Sequence, residues 1–116
     1  MTPLANQTCA PGGQATAMND ADIAQHLLML NGWQLVKNSE DSGEADALCK
    51  TFPFKNYHET IAFVNASAWI SHREDHHPDM SVHYTRCVVA YSTHDAGGIT
   101  LNDFICAAKL DRLFTL

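Results

Sequence analysis

Apolar and polar positions alternate along this chain with two different periods, and each change of period marks an element. In NDADIAQHLLML, residues 19–30, Ile23, Leu27 and Leu30 fall on one face of a helix. Asn19 is a suitable N-cap, and Asp20 and Asp22 suit the positive end of the helix dipole. Asn31-Gly32 then supplies residues that tolerate the left-handed position at a helix C-terminus. WQLVK, 33–37, switches to the two-residue alternation of a half-buried strand. The polar turn NSEDSGEAD follows, and ALCKTFPF, 47–54, returns as a second strand, so the pair predicts a hairpin. Pro53 marks either an edge strand or the end of this one.

The longest helical pattern begins at Asn56, which with Glu59 has the spacing of a capping box. Tyr57, Ile61, Val64 and Ala68 make one apolar stripe, widened by Phe63 and Ile70. Pro78 stops it, because a proline pushes the residue before it out of the helical region, and this leaves His76 and His77 at or just past the helix end. MSVHYTRCVVAYSTH is β-rich and divides near Thr85-Arg86 into two strands. After Gly97-Gly98 a last helix starts with Thr100 as N-cap and Asp103 at its third position, with Leu101, Phe104, Ile105 and Ala108 as its expected buried face. Hairpins in place of alternating βα units predict an α+β fold, a mainly antiparallel sheet with helices on one face. Residues 1–18, rich in Gly, Pro, Thr and Ala, read as a flexible N-terminal arm before a single domain over 19–116.

Composition narrows the function classes. At 116 residues and 46% apolar, the chain can bury one core. Its net charge of −6 leaves no basic cluster to displace counterions from nucleic acid or to sit on an anionic membrane. No apolar run approaches the roughly 20 residues that span a bilayer. The first residues lack a basic segment followed by an apolar one, so no signal peptide is expected and the reading is cytoplasmic. Cys9, Cys49, Cys87 and Cys106 are widely spaced and read as reduced thiols, Cys87 and Cys106 as core filler.

The chemistry gathers in the histidines. HREDHHPDMSVHY holds His72, His76, His77 and His83, and His94 follows at the end of the next strand. One reading makes them surface or capping residues, since a histidine at a helix C-terminus interacts well with the dipole. A second is a metal site, because His72 and His76 are four apart, although HREDH is not H-E-x-x-H and no cysteine pair supports it. The third is acid–base catalysis without a metal. Imidazole exchanges protons near neutrality, and a helix end meeting a strand end could face several rings into one pocket.

At these residues the sequence resembles the pterin-4a-carbinolamine dehydratases. Their signature runs from an acidic, lysine or histidine residue through a His-His-Pro-like triplet, an aromatic, a His or Trp and an Asp. His72, His76, His77, Pro78, Tyr84, His94 and Asp103 match it at every spacing. The resemblance extends from about Asp20 to Phe114 and includes Phe54-Lys55-Asn56-Tyr57, Ala62-Phe63 and Gly97-Gly98. It implies a four-stranded antiparallel sheet with three helices packed on one face. It implies a hydro-lyase that removes water from 4a-hydroxytetrahydrobiopterin to give the quinonoid dihydropterin, recycling the cofactor of aromatic amino acid hydroxylases. Pterin would be the substrate, with no cofactor and no metal.

By motif position His76, His77 and His94 are the catalytic set. His76 and His94 form the acid–base pair for the 4a-hydroxyl and the N5 proton, and His77 anchors substrate. Pro78, Thr93, Asp95 and Ala96 would line the pterin through backbone groups, with His72 as a possible accessory. Relatives often carry Glu where His72 stands, and an aromatic where Met80 stands. The resemblance further implies a homodimer or homotetramer functionally linked to a hydroxylase. The alternatives are an interaction or dimerisation protein of the same fold, since some relatives bind a homeodomain transcription factor, and a dehydratase of a related pterin. Asp103 itself is expected to serve the helix dipole and cap.

Overall fold

The computed structural model describes residues 2–11, 13–38, 41, 43 and 45–114. The elements are α1 (Asp20–Leu27), β1 (Gln34–Val36), β2 (Ala47–Pro53), α2 (Tyr57–Glu74), β3 (Asp79–Val82), β4 (Arg86–Tyr91) and α3 (Leu101–Asp111). Short 3-10 turns lie at Leu4–Asn6, His94–Ala96 and Arg112–Phe114. The sheet is antiparallel in the order β1-β2-β4-β3. This is the expected α-β-β-α-β-β-α arrangement, with helices packed on one face. The turn read between β1 and β2 includes Ser39, Glu40, Ser42 and Glu44, which lie outside the described residues.

Side chains alternate across the sheet. The register puts Leu48 beside Tyr91 and Phe52 beside Cys87, and these residues with Val89 are buried under the helices. Phe63 of α2 completes an aromatic centre, its ring 4.6 Å from that of Phe52 and 5.2 Å from that of Phe54. Pro53 ends β2, opposite Arg86. Because β2 lies inside the sheet, the proline marks a strand end here and not an edge strand.

Two expected helix faces differ from those observed. On α2 the buried residues are Thr60, Phe63, Ser67 and Glu74, while Tyr57, Ala68 and Trp69 are exposed, Trp69 at 65%. Hydropathy hides this face because its polar members have local partners. Thr60 Oγ1 reaches the carbonyls of Asn56 (3.0 Å) and Tyr84 (3.1 Å), and Ser67 Oγ donates to the Val64 carbonyl at 2.7 Å. On α3, Leu101 is exposed and everything from Asn102 to Ala107 is buried.

The N-terminal segment explains the burial of α3. Where the composition suggests a flexible arm, residues 2–11 lie against α3, with Leu4 and Cys9 in the core. Lys109 Nζ donates to the Ala5 carbonyl (3.0 Å), and Arg112 reaches Asn6 Oδ1 (2.7 Å). The backbone N–H of Met18 bonds the Ile99 carbonyl at 2.8 Å. The segment is thus a strap, tied at several points along its length.

Candidate functional site

The last turn of α2 sets the geometry. Asp75 caps the helix in the left-handed region at φ 50°, ψ 43°, and the backbone N–H of His76 closes back on the Ser71 carbonyl. Among the described residues Asp75 is the only non-glycine with positive φ, a conformation that Asp tolerates better than most residues. The reversal takes His76 off the helical spiral. His72 therefore does not share a face with it, which removes the geometric basis of the chelating pair considered from sequence. His72 stays on the exposed side of α2, its ring 6.2 Å from that of Trp69. Among the described residues no three His, Cys, Asp or Glu side chains are grouped as a metal site.

His76 turns inward and meets Asp103. Its Nε2 lies 2.7 Å from Asp103 Oδ1, in a carboxylate that is fully buried, while the histidine side chain keeps 13% exposure. Its ring lies nearly parallel to that of Tyr91, 15° apart and 6.0 Å between centroids. With the carboxylate accepting at Nε2, that nitrogen carries hydrogen, and Nδ1 has no partner among the described residues.

The other Asp103 oxygen gathers two further elements. Oδ2 accepts from the Thr100 backbone N–H at 2.9 Å, half of the predicted capping box, and from Thr93 Oγ1 at 2.8 Å. Thr93 and Thr100 also join hydroxyl to hydroxyl at 2.9 Å. One carboxylate thereby ties together the end of α2, the end of β4 and the start of α3. Capping, the role expected of Asp103, is only part of what it does.

Beyond Thr93 the 3-10 turn His94–Ala96 closes at Gly97, whose φ of 74° suits a residue without Cβ. The turn presents His94 and Asp95 to a cleft of about 240 Å³. His76, His77, Thr93, His94 and Asp95 all line it, so five of the sequence-predicted site residues come together. Pro78, Ala96 and His72 are not among its walls. Sequence reasoning missed Asp75, Ser92 and Asn102, and the strap residues Ala10, Gly13 and Ala15. His83 is engaged elsewhere, its Nε2 2.8 Å from Ser81 Oγ. Tyr84 sits outside the strands and stacks on Tyr57.

The thiols stand apart from this chemistry. Cys87 and Cys106 are fully buried, as expected of core filler. Burial pushes the Cys87 thiol up, and a hydrogen bond with Cys9 together with burial does so for Cys106. A raised pKa keeps a thiol protonated and poorly nucleophilic. The Tyr91 hydroxyl is likewise pushed up by burial.

The sequence profile described as pterin 4 alpha carbinolamine dehydratase matches residues 16–113. A protein of Chromobacterium violaceum named "Putative pterin-4-alpha-carbinolamine dehydratase" is 53% identical over 111 residues, covering 96% of this chain and 95% of its own. One of the same name from Stenotrophomonas maltophilia strain K279a is 50% identical over 114 residues, covering 97% and 93%. A crystal structure described as a transcriptional coactivator/pterin dehydratase from Brucella melitensis superposes with a TM-score of 0.74 at 28% identity, covering 83% of this chain and 96% of that one. Matched by that profile over residues 16–113 and at least 50% identical to the Chromobacterium and Stenotrophomonas relatives over nearly its whole length, the chain belongs to the pterin-4-alpha-carbinolamine dehydratase family.

Proposed function

We propose that the protein dehydrates 4a-hydroxytetrahydrobiopterin to the quinonoid dihydropterin by histidine acid–base catalysis, without a metal. The observation that carries this reading is the His76–Asp103 pair in a cleft that also presents His77 and His94. One imidazole protonates the 4a-hydroxyl and the C4a–O bond breaks to release water. The other accepts the N5 proton, and the N5 electron pair forms the C4a=N5 bond. The protein ends one cycle with its protons redistributed between the two rings, and solvent restores them. His76 and His94 fill these two roles and His77 anchors the ring. Such a step recycles the cofactor of aromatic amino acid hydroxylases. Four free cysteines suit a reducing cytoplasm. The exposed apolar side of α2, with Tyr57, Ala68 and Trp69, supports assembly into homo-oligomers.

The same exposed face would also serve an interaction protein, and the Brucella relative's description includes coactivator. A pure scaffold, however, has no need of an imidazole held by a buried carboxylate. The test couples a hydroxylase that generates the 4a-hydroxypterin to absorbance detection of quinonoid product. Acceleration over the spontaneous reaction is expected, unchanged after dialysis against a chelator. No acceleration would sink the reading, and loss of activity on chelation would revive a metal site.

A further inference from the structure

Two of the residues that hold the N-terminal strap by hydrogen bonds, Glu74 and Asn102, adjoin the histidine–carboxylate pair. Glu74 is the last residue of α2, two before His76, and is buried. Its Oε1 accepts the backbone N–H of Cys9 at 2.9 Å, and its Oε2 lies 3.8 Å from Lys109 Nζ. Asn102 immediately precedes Asp103, and its carboxamide binds both backbone groups of Ala10. The Ala10 N–H donates to Oδ1 at 2.8 Å, and Nδ2 donates to the Ala10 carbonyl at 3.1 Å. Two consecutive backbone N–H groups of the strap thus end on buried side chains from two different helices. Below them Cys9 Sγ packs 3.5 Å from Cys106 Sγ. Past the clamp, a turn closed by the Gln14 N–H on the Pro11 carbonyl carries Gly13 at φ 82°, and Ala10, Gly13 and Ala15 line the cleft.

We propose that Glu74 and Asn102 are positioning residues that hold Ala10, Gly13 and Ala15 as the outer wall of the pterin cleft. His77, His94, Asp75 and Asp95 line the same cleft as Ala10, Gly13 and Ala15, so the strap supplies one of its walls. The strap residues facing the cleft carry a methyl group or nothing, so a flat heterocycle can approach their backbone to van der Waals distance. Side-chain clamps preorganise this wall before substrate arrives, so the ordering entropy is not charged to binding. A strap docked only a fraction of the time weakens apparent affinity by that fraction. It leaves the chemical step of the bound complex unaltered, so the signature is a change in KM with kcat retained.

The inference rests on the dehydratase reading, and the test separates the two. Binding of the non-reacting 7,8-dihydrobiopterin and steady-state dehydration are measured for wild type, Glu74→Ala, Glu74→Gln and Ala15→Phe. Releasing the clamp in Glu74→Ala is expected to weaken binding and raise KM about tenfold, with kcat within about twofold. Glu74→Gln keeps an acceptor for the Cys9 N–H and is expected to bind nearly as wild type. Ala15→Phe places a ring in the cleft while leaving the clamp intact. It is expected to weaken binding at least about tenfold without changing the thermal midpoint, and it carries the test if Glu74→Ala does not fold. Wild-type binding and turnover with an unaltered Ala15→Phe would overturn the wall alone, as would a loss confined to kcat in Glu74→Ala. Failure of the wild-type protein to bind the pterin would overturn the dehydratase reading and this inference with it.

Discussion

A protein carrying both His76→Ala and His94→Ala is expected to retain its fold and to dehydrate the 4a-hydroxypterin no faster than the spontaneous reaction. Each positioned acid or base contributes about 10²- to 10⁴-fold, so removing both should lower kcat by about 10⁴-fold or to the uncatalysed floor. Retention of the fold follows from where the rings sit. His94 is exposed on a 3-10 turn, and its ring has no hydrogen-bond partner among the described residues. His76 leaves one oxygen of Asp103 without its partner, while Thr93 and Thr100 still hold the other. That loss is worth about 1–3 kcal/mol, enough to lower the thermal midpoint and too little to unfold a typical domain. Far-UV circular dichroism should match wild type while quinonoid formation disappears. His77→Ala is the informative comparison, since an anchoring residue should raise KM before it lowers kcat. Full activity in the double variant would mean that the protons travel through other groups.

The parts of this arrangement visible in sequence are those with a local cause. Pro78 and the first-turn carboxylate Asp103 each act within a few residues, and they located the helix end and the helix start on which the site is built. Hairpin signals gave the strand pairing for the same reason. Long-range partners were not legible. Nothing near Asp103 announces that a histidine 27 residues earlier in the chain will share its carboxylate. The buried face of α2 was misplaced because Thr60, Ser67 and Glu74 look like surface residues until their partners are seen. The strap was unreadable for a related reason. Its hold on α2 and α3 comes from backbone groups meeting Glu74, Asn102 and Lys109, and backbone carries no signature in the sequence.

Replacing Asp103 is expected to damage stability and catalysis by separable amounts. Asp103→Ala strands the Thr100 N–H, the Thr93 hydroxyl and the His76 Nε2–H, all of which now end on one buried carboxylate. Losing a capping acceptor and leaving buried donors unpaired should lower unfolding free energy by about 3 kcal/mol, read from urea denaturation. Asp103→Asn divides the two roles. Its single amide oxygen can still serve Thr100 and Thr93, but it then offers an NH₂ to His76, which must answer with a lone pair at Nε2. The ring proton moves to Nδ1, the nitrogen that has no other described partner, so the neutral imidazole turns from a group that accepts a proton there into one that donates. Stability should fall by only about 1 kcal/mol, because most of the hydrogen bonds persist. The kcat should fall about 10⁴-fold, the size of effect expected when a carboxylate that fixes a catalytic imidazole's tautomer becomes an amide. Imidazole ¹⁵N shifts give a readout that capping alone would not move, and they should report the tautomer exchange at His76. An Asp103→Asn protein with wild-type kcat would reduce Asp103 to a helix cap and leave His76 without its positioning partner.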